Sequence, residues 1–380
     1  MKKFISVLCA AVLLTGCAAK KEAEVSEPEK APVETVSEQE DAEEIQEAEG
    51  SRGEKEILQE VLGVEAEGVN YLSVEGTQVP EASVLAMIGK DSTSGFWKQV
   101  KAGAEQAVAD LNESLGYTGD GKVKLLYDAP EKEDISEQID IIDQMLDKNP
   151  DALCIGFVDI NSGKTQLELA KANGIPVLAV DSGIDNSLIL STIKTDNYQA
   201  GREAAEKLCD AMEDNGKVAL LVHSSLTESG IEREKGFTEE IQANHPEVEI
   251  VNVAYRQQDE RNVDEIVAAV LQEHPDLKAY FGTNDVVTRE LVEALSLQGA
   301  EEHQVLAAGF DASAKLLQAV KEGRLTGVMA QDPWGMGYAA AVSAFRTMAG
   351  MDTASVIDTG YCWISSENME EEIVSLLTYK

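Results

Sequence analysis

Most of the side chains in this sequence that could do chemistry at one common point lie in six polar clusters, each following a short apolar run. Lys90-Asp91-Ser92-Thr93-Ser94-Gly95-Phe96-Trp97 follows the first run, Asp159 the third and Asp181-Ser182 the fourth. Asn284-Asp285 comes after the run ending at Phe281, Asp311 after Phe310, and Gln331-Asp332-Pro333-Trp334 after Val328-Met329-Ala330. Carboxylates and amides form paired hydrogen bonds with vicinal hydroxyls, and flat aromatic faces suit the C–H side of a sugar-like ring. Aromatic residues make up only 5% of the chain, so the adjacent Phe96 and Trp97 stand out, although two core residues at a helix start give the same pattern.

Other chemistries fit less well. Asp181 and Asp311 match in type the carboxylate pair of a glycoside hydrolase, a reading that depends on a separation no sequence provides; chelation of ligand hydroxyls is preferred. Gly335-Met336-Gly337-Tyr338-Ala339-Ala340 fits the GxGxxA pattern of a dinucleotide site. It follows Asp332-Pro333, however, which sets its glycines in the first turns of a helix, and it falls in the last βα unit instead of the first. There is no GxSxG, HExxH or P-loop. His245 and His274 each precede a proline and close helices. His223 follows a strand, His303 lies in a polar loop, and none of the four pairs with an evident nucleophile. No catalytic residue, metal site or cofactor is expected, and the chain is not read as an enzyme.

The elements that must position these clusters are short apolar strands alternating with amphipathic helices. The strands are read at Val84–Ile88, Val123–Tyr127, Ala152–Phe157, Val177–Val180, Val218–Val222, Glu249–Val253, Ala279–Phe281 and Val305–Phe310, with helices such as Phe96–Leu115 and Val286–Leu297 between them. Near-continuous apolar strands with helical crossovers imply parallel sheets covered on both faces. Asn173-Gly174-Ile175-Pro176 marks one helix end and the entry to the next strand. There are too many strands for one comfortable sheet, so an α/β fold of two doubly wound parallel-sheet lobes is expected. In such sheets ligands bind beyond the carboxyl ends of the strands, where the polar clusters lie.

The 380-residue chain carries a formal charge of −39, which repels nucleic acid and anionic headgroups and suits solubility outside the cell. Lys2 and Lys3 precede a short apolar stretch, Phe4–Leu14, that is too short to span a membrane. Leu14-Thr15-Gly16-Cys17 closes it and resembles the bacterial lipobox, which implies cleavage after residue 16 and lipidation of Cys17. Residues 17–56 are Glu-rich and read as an extended acidic tether, and 57–82 as a short extension with an amphipathic piece (Ile57, Leu58, Val61, Leu62) and a strand-like Val69–Val74. With Cys9 removed and Cys17 acylated, Cys154, Cys209 and Cys362 remain, an odd number without CxxC spacing, so neither a disulfide framework nor a zinc site is expected.

From about residue 83 onward the chain resembles type I periplasmic binding proteins of the ribose/galactose class. The resemblance is carried by Ser94-Gly95-Phe96-Trp97, Gly174-Ile175-Pro176-Val177 with Asp181 beyond it, Thr195-Asp196-Asn197-Tyr198-Gln199-Ala200-Gly201, Arg233-Glu234-Lys235-Gly236-Phe237, Thr283-Asn284-Asp285, Gly309-Phe310-Asp311 and Gln331-Asp332-Pro333. It implies a three-segment hinge crossing near Thr195-Asp196, Gln331-Asp332 and Gly360-Tyr361, with one lobe at 83–195 plus 332–360 and the other at 196–331 plus 361–380. It also implies ligand-binding roles for Ser94, Phe96, Trp97, Asp159, Asp181, Ser182, Arg233, Asn284, Asp311 and Gln331. Ribose-type members carry Arg where this chain has Ser182, another near Ile231, and Asn where it has Gly156, so ribose itself is in doubt. The function implied is capture of a small sugar or polyol by hinge closure, outside the cytoplasm and lipid-anchored, with delivery to an ABC importer permease. A monomer is expected. The alternatives are a binding protein that feeds a chemoreceptor or sensor kinase and, less favoured, a glycoside-acting hydrolase.

Overall fold

The computed structural model describes residues 53–299 and 305–380. Residues 1–16, read as a signal peptide, Cys17, read as lipidated, the stretch read as tether up to residue 52, and His303 lie outside the described residues.

The described chain opens with helix α1 over 53–62, whose first four residues fall within the stretch read as tether. A two-stranded hairpin follows, β1 (Glu65–Ala66) and β2 (Val69–Asn70), so only the first residues of the strand-like Val69–Val74 pair. Two six-stranded sheets make up the rest. The first contains β3 (Val84–Ile88), β4 (Lys124–Asp128), β5 (Ala152–Ile155), β6 (Val177–Val180), β7 (Ile189–Lys194) and β13 (Val356–Asp358), in the order β4-β3-β5-β6-β7-β13 and parallel throughout. The second contains β8 (Gly216–Val222), β9 (Val248–Tyr255), β10 (Leu277–Gly282), β11 (Leu306–Phe310), β12 (Gly327–Gln331) and β14 (Tyr361–Ser365), in the order β9-β8-β10-β11-β12-β14, with only β14 antiparallel. In each lobe the first five strands in chain order therefore run 2-1-3-4-5, a doubly wound order that opens a crevice where the winding reverses.

Helices α2 (Gly95–Leu115), α3 (Ile135–Asp147), α4 (Lys164–Ala172) and α10 (Pro333–Met348) cover the first sheet. Helices α5 (Asn197–Ala211), α6 (Glu228–Asn244), α7 (Val263–Glu273), α8 (Asp285–Leu297), α9 (Ala314–Lys321) and α11 (Glu372–Leu377) cover the second. Strand side chains such as Leu85, Met87, Leu178, Val180, Leu220 and Phe281 are fully enclosed, as parallel strands covered on both faces require. The GxGxxA glycines serve packing. A Cβ at Gly337 would lie 1.8 Å from the Val100 carbonyl oxygen and one at Gly103 1.9 Å from that of Trp334, so α2 and α10 meet backbone to backbone. The other lobe repeats the device between α5 and α6, where Gly201 abuts Arg233 and Gly236 abuts Tyr198.

The chain passes between the sheets three times: from β7 into α5, from β12 into α10, and from β13 into β14. These form a three-segment hinge. The Asp358 carboxylate ties two of the segments together, accepting from Asp196 N at 3.1 Å and Gly360 N at 2.9 Å. The N-terminal extension packs on the first lobe. Leu58, Val64, Tyr71, Leu72 and Val79 are buried, the Tyr71 hydroxyl accepts from Ala354 N at 2.9 Å, and Lys55 bonds Asp110. Among the described residues no helix is long and apolar enough to cross a membrane.

Candidate functional site

The carboxyl ends of both sheets face a single cavity of about 650 Å³ between the lobes. Eight of the ten side chains singled out from the sequence line it: Ser94, Phe96, Trp97 and Asp181 from the first lobe, and Arg233, Asn284, Asp311 and Gln331 from the second. Asp159 does not reach it. That carboxylate turns back to cap its own loop, accepting from Asn161 N at 3.0 Å. Ser182 is fully buried behind the wall, its hydroxyl 2.9 Å from that of Ser229 in the opposite lobe.

The two acids occupy matching positions. Asp181 follows β6 and Asp311 follows β11, the fourth strand of each lobe. Both have left-handed backbones, with φ of 65° and 80°, and both donate their N–H to the neighbouring strand, Asp181 to Ile193 O at 2.8 Å and Asp311 to Met329 O at 2.7 Å. The Asp311 carboxylate accepts from Gln331 Nε2 at 2.6 Å and from Asp285 N at 2.8 Å. Burial lifts its pKa to about 6; Arg233 opposes that shift and Asp285 adds to it.

Arg233 projects from α6 and is 2% exposed. Its Nε donates to Asn197 Oδ1 at 2.8 Å, its Nη1 donates to Thr283 O at 2.7 Å, and its guanidinium lies 3.6 Å from the Phe310 ring centroid. Among the described residues Nη2 has no hydrogen-bond acceptor, which leaves that donor for a guest. Among the described residues Gln331 Oε1 and Asp285 Oδ1 are buried acceptors without partners, and Asn284 caps α8 through its oxygen (Val287 N, 3.0 Å) while its amide N–H groups have no acceptor there. A cavity whose walls hold unspent donors and acceptors suits a guest rich in hydroxyls.

Phe96 and Trp97 are 7% and 3% exposed. Their rings stand 5.6 Å apart at 75°, edge to face, so a ring-shaped guest can stack on one while meeting the other's edge. Trp97 sits over two strand ends that must be glycine: a Cβ at Gly156 would meet its ring at 2.3 Å and one at Gly89 at 2.9 Å. Gly156, which departs from the ribose-type pattern, therefore makes room for the indole.

Sequence reasoning missed Glu133, His223, Ser229, Gln257 and Glu290 as lining residues, and it placed Lys90 in the polar cluster after the first strand without a ligand-binding role. Lys90 Nζ is 2.7 Å from Asp181 Oδ2. Burial works against its charge, but Asp181 and Glu133 outweigh it and hold its pKa above the ordinary lysine value. Burial pushes Glu133 up, against the pull of Lys90. His223 is enclosed by Thr283 and Thr227 hydroxyls at 2.8 and 3.0 Å, and burial, then Arg233 and Lys90, drive its pKa well below the usual value, so the ring is neutral. Glu133 and Gln257 follow the second strand of their lobes, so the strand-end rule carried to β4 and β9 points to both loops.

The lobes touch across the cleft. Gln257 donates to Glu133, Ile160 N donates to Leu226 O at 2.9 Å, and Gly183 N donates to Glu228 Oε2 at 2.6 Å. Lys194 reaches Glu228 at 2.7 Å and Glu232 at 2.9 Å. This is a closed arrangement of the two halves.

Comparison with known proteins agrees with this architecture. The family profile described as a periplasmic binding protein domain matches residues 85–352. The ribose import binding protein of Bacillus subtilis is 26% identical over 237 residues, which cover 62% of this chain and 75% of that protein. The D-allose-binding periplasmic protein of Escherichia coli is 24% identical over 67% of this chain and 81% of its own length. Among solved structures, a carbohydrate transporter solute-binding protein from Agrobacterium radiobacter in complex with D-arabinose superimposes with a TM-score of 0.69 at 27% identity, covering 78% of this chain and 98% of that one. An ABC transporter solute-binding protein from Agrobacterium vitis bound to α-D-tagatopyranose gives 0.72 at 25% identity, covering 78% and 99%. With its duplicated 2-1-3-4-5 sheets, three-segment hinge and profile match, this chain belongs to the periplasmic binding protein domain family.

Proposed function

We propose that this protein is an extracytoplasmic, lipid-anchored solute-binding protein that captures a neutral sugar or polyol between its lobes and delivers it to an ABC importer. One observation carries the reading. Side chains from both lobes converge on one cavity with unspent donors (Arg233 Nη2, the Asn284 amide) and unspent acceptors (Gln331 Oε1, Asp285 Oδ1) beside an aromatic pair. Sugars are the ligands named for the similar proteins, which supports the ligand class without fixing the sugar. A guest touching both halves stabilises the closed state only by the contacts that the open state lacks, and that differential affinity drives closure.

The ligand-binding roles of Ser94, Phe96, Trp97, Asp181, Arg233, Asn284, Asp311 and Gln331 are part of this proposal, as are the lipid anchor at Cys17, the permease partner and the monomeric state. A thermal-shift screen of the purified chain against pentoses, hexoses, polyols and related sugars, followed by calorimetry on the hits, tests it. A neutral sugar binding with one-to-one stoichiometry and recovered chemically intact supports capture. Turnover of the bound sugar removes the reading in favour of a hydrolase, and the absence of binding across all neutral sugars removes it outright.

A further inference from the structure

The family profile begins at residue 85, so helix α1, the β1–β2 hairpin and the loop up to β3 lie ahead of everything it matches. Several contacts of this extension fall on one stretch of chain, the return visit to the first lobe between the second hinge crossing (Gln331-Asp332) and the third (Asp358 to Tyr361). Lys55 Nζ lies 3.1 Å from the Tyr338 hydroxyl and 4.2 Å from the centroid of that ring. The Tyr71 hydroxyl accepts from Ala354 N at 2.9 Å and stands 3.3 Å from Thr353 Oγ1. β1 lies beside β13. The end of α1 then meets the crossing itself: a Cβ at Gly360 would lie 2.8 Å from both the Cβ and the carbonyl oxygen of Leu62.

At Gly360 two hinge segments run side by side. Thr359 N donates to Lys194 O at 3.0 Å, and the Asp358 carboxylate holds Asp196 N as well as Gly360 N. Position 360 excludes a side chain twice over, because its φ is 72° and α1 fills the space a Cβ would take. Hinges turn by changes of φ and ψ at a few such residues. α1 is fixed to the first lobe, whereas residue 360 leads into β14 of the second, so rotation of the lobes moves Gly360 against Leu62. Close-packed contacts of this kind have no slack to absorb the movement.

We propose that the N-terminal extension is a brace on the hinge: with α1 seated on the first lobe, Leu62 packs on Gly360 in the closed arrangement alone, and this contact shifts the empty protein toward closure. A sugar that binds the closed form then gains apparent affinity in proportion to the closed fraction. The affinity part rests on the sugar-capture reading, and the hinge part does not.

The test compares full-length wild type, Leu62→Ala, Leu62→Met and Tyr71→Phe without ligand, by small-angle scattering and by hydrogen exchange of the hinge amides Asp196, Thr359 and Gly360. Leu62 is half-buried at a helix end, so its truncation spares the fold, and thermal unfolding serves as the control. Leu62→Ala is expected to enlarge the radius of gyration and to speed exchange at the hinge by about three- to tenfold relative to the strand amides, as for a local opening made easier. Leu62→Met, which keeps the reach of the side chain, stays with wild type. Tyr71→Phe loosens the extension at Ala354 while leaving α1 in place, so it loses stability without moving the hinge. Leu62→Ala matching wild type, or Leu62→Ala and Tyr71→Phe opening alike, overturns the brace. With the sugar found by the screen, the apparent Kd of Leu62→Ala should rise by about the same three- to tenfold. An unchanged Kd beside an opened empty variant overturns the link to affinity. Failure of any sugar to bind overturns capture and leaves the ligand-free comparison to decide the brace.

Discussion

Asp181 and Asp311 repeat one residue-scale device in the two lobes: a carboxylate after the fourth strand, held by a left-handed backbone and a strand-directed N–H. A non-glycine residue at positive φ costs about a kilocalorie per mole, tolerable for Asp, and here the turn presents the carboxylate to the cleft. Replacing Asp181 by Ala is expected to weaken sugar binding by on the order of 2–4 kcal/mol, because a guest hydroxyl and the Lys90 ammonium both lose their partner; calorimetry reads the loss directly. Asp311 makes the site pH-dependent. Its folded pKa of about 6 lies above the unfolded value, so its contribution to the empty protein's stability is present at pH values below about 4 and is lost as pH rises through 6. Binding runs the other way, since a guest hydroxyl needs the ionised acceptor. Affinity should be flat above pH 7 and fall by up to about tenfold per unit below 6, a slope that Asp311→Asn removes in a pH series of titrations. Asp332 adds to the stability trend. It caps α10 through Gly335 N at 2.7 Å, its Oδ2 is buried without a partner among the described residues, and burial raises its pKa to about 7. Asp332→Asn keeps the cap and should flatten the decline in unfolding free energy between pH 4 and 8, measured with urea.

At the scale of elements, the helix pairs α2–α10 and α5–α6 set how each lobe is built, and the glycines at their crossings decide how close they come. Gly337→Ala puts a methyl group 1.8 Å from the Val100 carbonyl oxygen, which forces the pair apart. A loss of about 1–3 kcal/mol in unfolding free energy is expected, with the α2 start that carries Phe96 and Trp97 displaced and sugar affinity reduced alongside. The extension before β3 is a second elemental feature. Tyr71→Phe strips the acceptor from the buried Ala354 N–H and should cost about 1–3 kcal/mol by denaturant unfolding while leaving sugar affinity unchanged, because Tyr71 lies away from the cavity. Most strands legible in the sequence are buried on both faces, such as Val177–Val180 and Val218–Val222, while the half-buried edge strands β4 and β9 were legible from their apolar residues as well. The edge strands β13 and β14 escaped because one is only three residues long and the other is half-buried along most of its length, and β7, next to β13, alternates in exposure and lacks an apolar run.

For the whole molecule, the closed arrangement is held by polar contacts between the lobes, of which Lys194 with Glu228 and Glu232 is the most charged. Lys194→Met should shift the empty protein toward open forms. Small-angle scattering is then expected to show a larger radius of gyration for the ligand-free variant than for ligand-free wild type, with both converging on one value at saturating sugar; identical curves without ligand would mean these contacts do not set the equilibrium.

Amphipathic period, apolar runs and strand-end polarity pointed to the two-lobed α/β class and to the strand-end side chains, because those properties are local and repeat with the element that carries them, whereas the three crossings and the part of Arg233 followed from the family resemblance. Phe96, Asp181, Asn284 and Asp311 could be named on that ground alone. What distance in space decides was out of reach. Lys90 stands in the polar cluster after the first strand, but its burial and its pairing come from β6 bringing Asp181 within 2.7 Å of it. Asp159 has the right type and the right strand end, yet a local turn spends its carboxylate at home. Glu133 and Gln257 meet only because two loops 124 residues apart fold over one cleft. Burial and pairing are properties of the assembled lobes, and no stretch of chain carries them by itself.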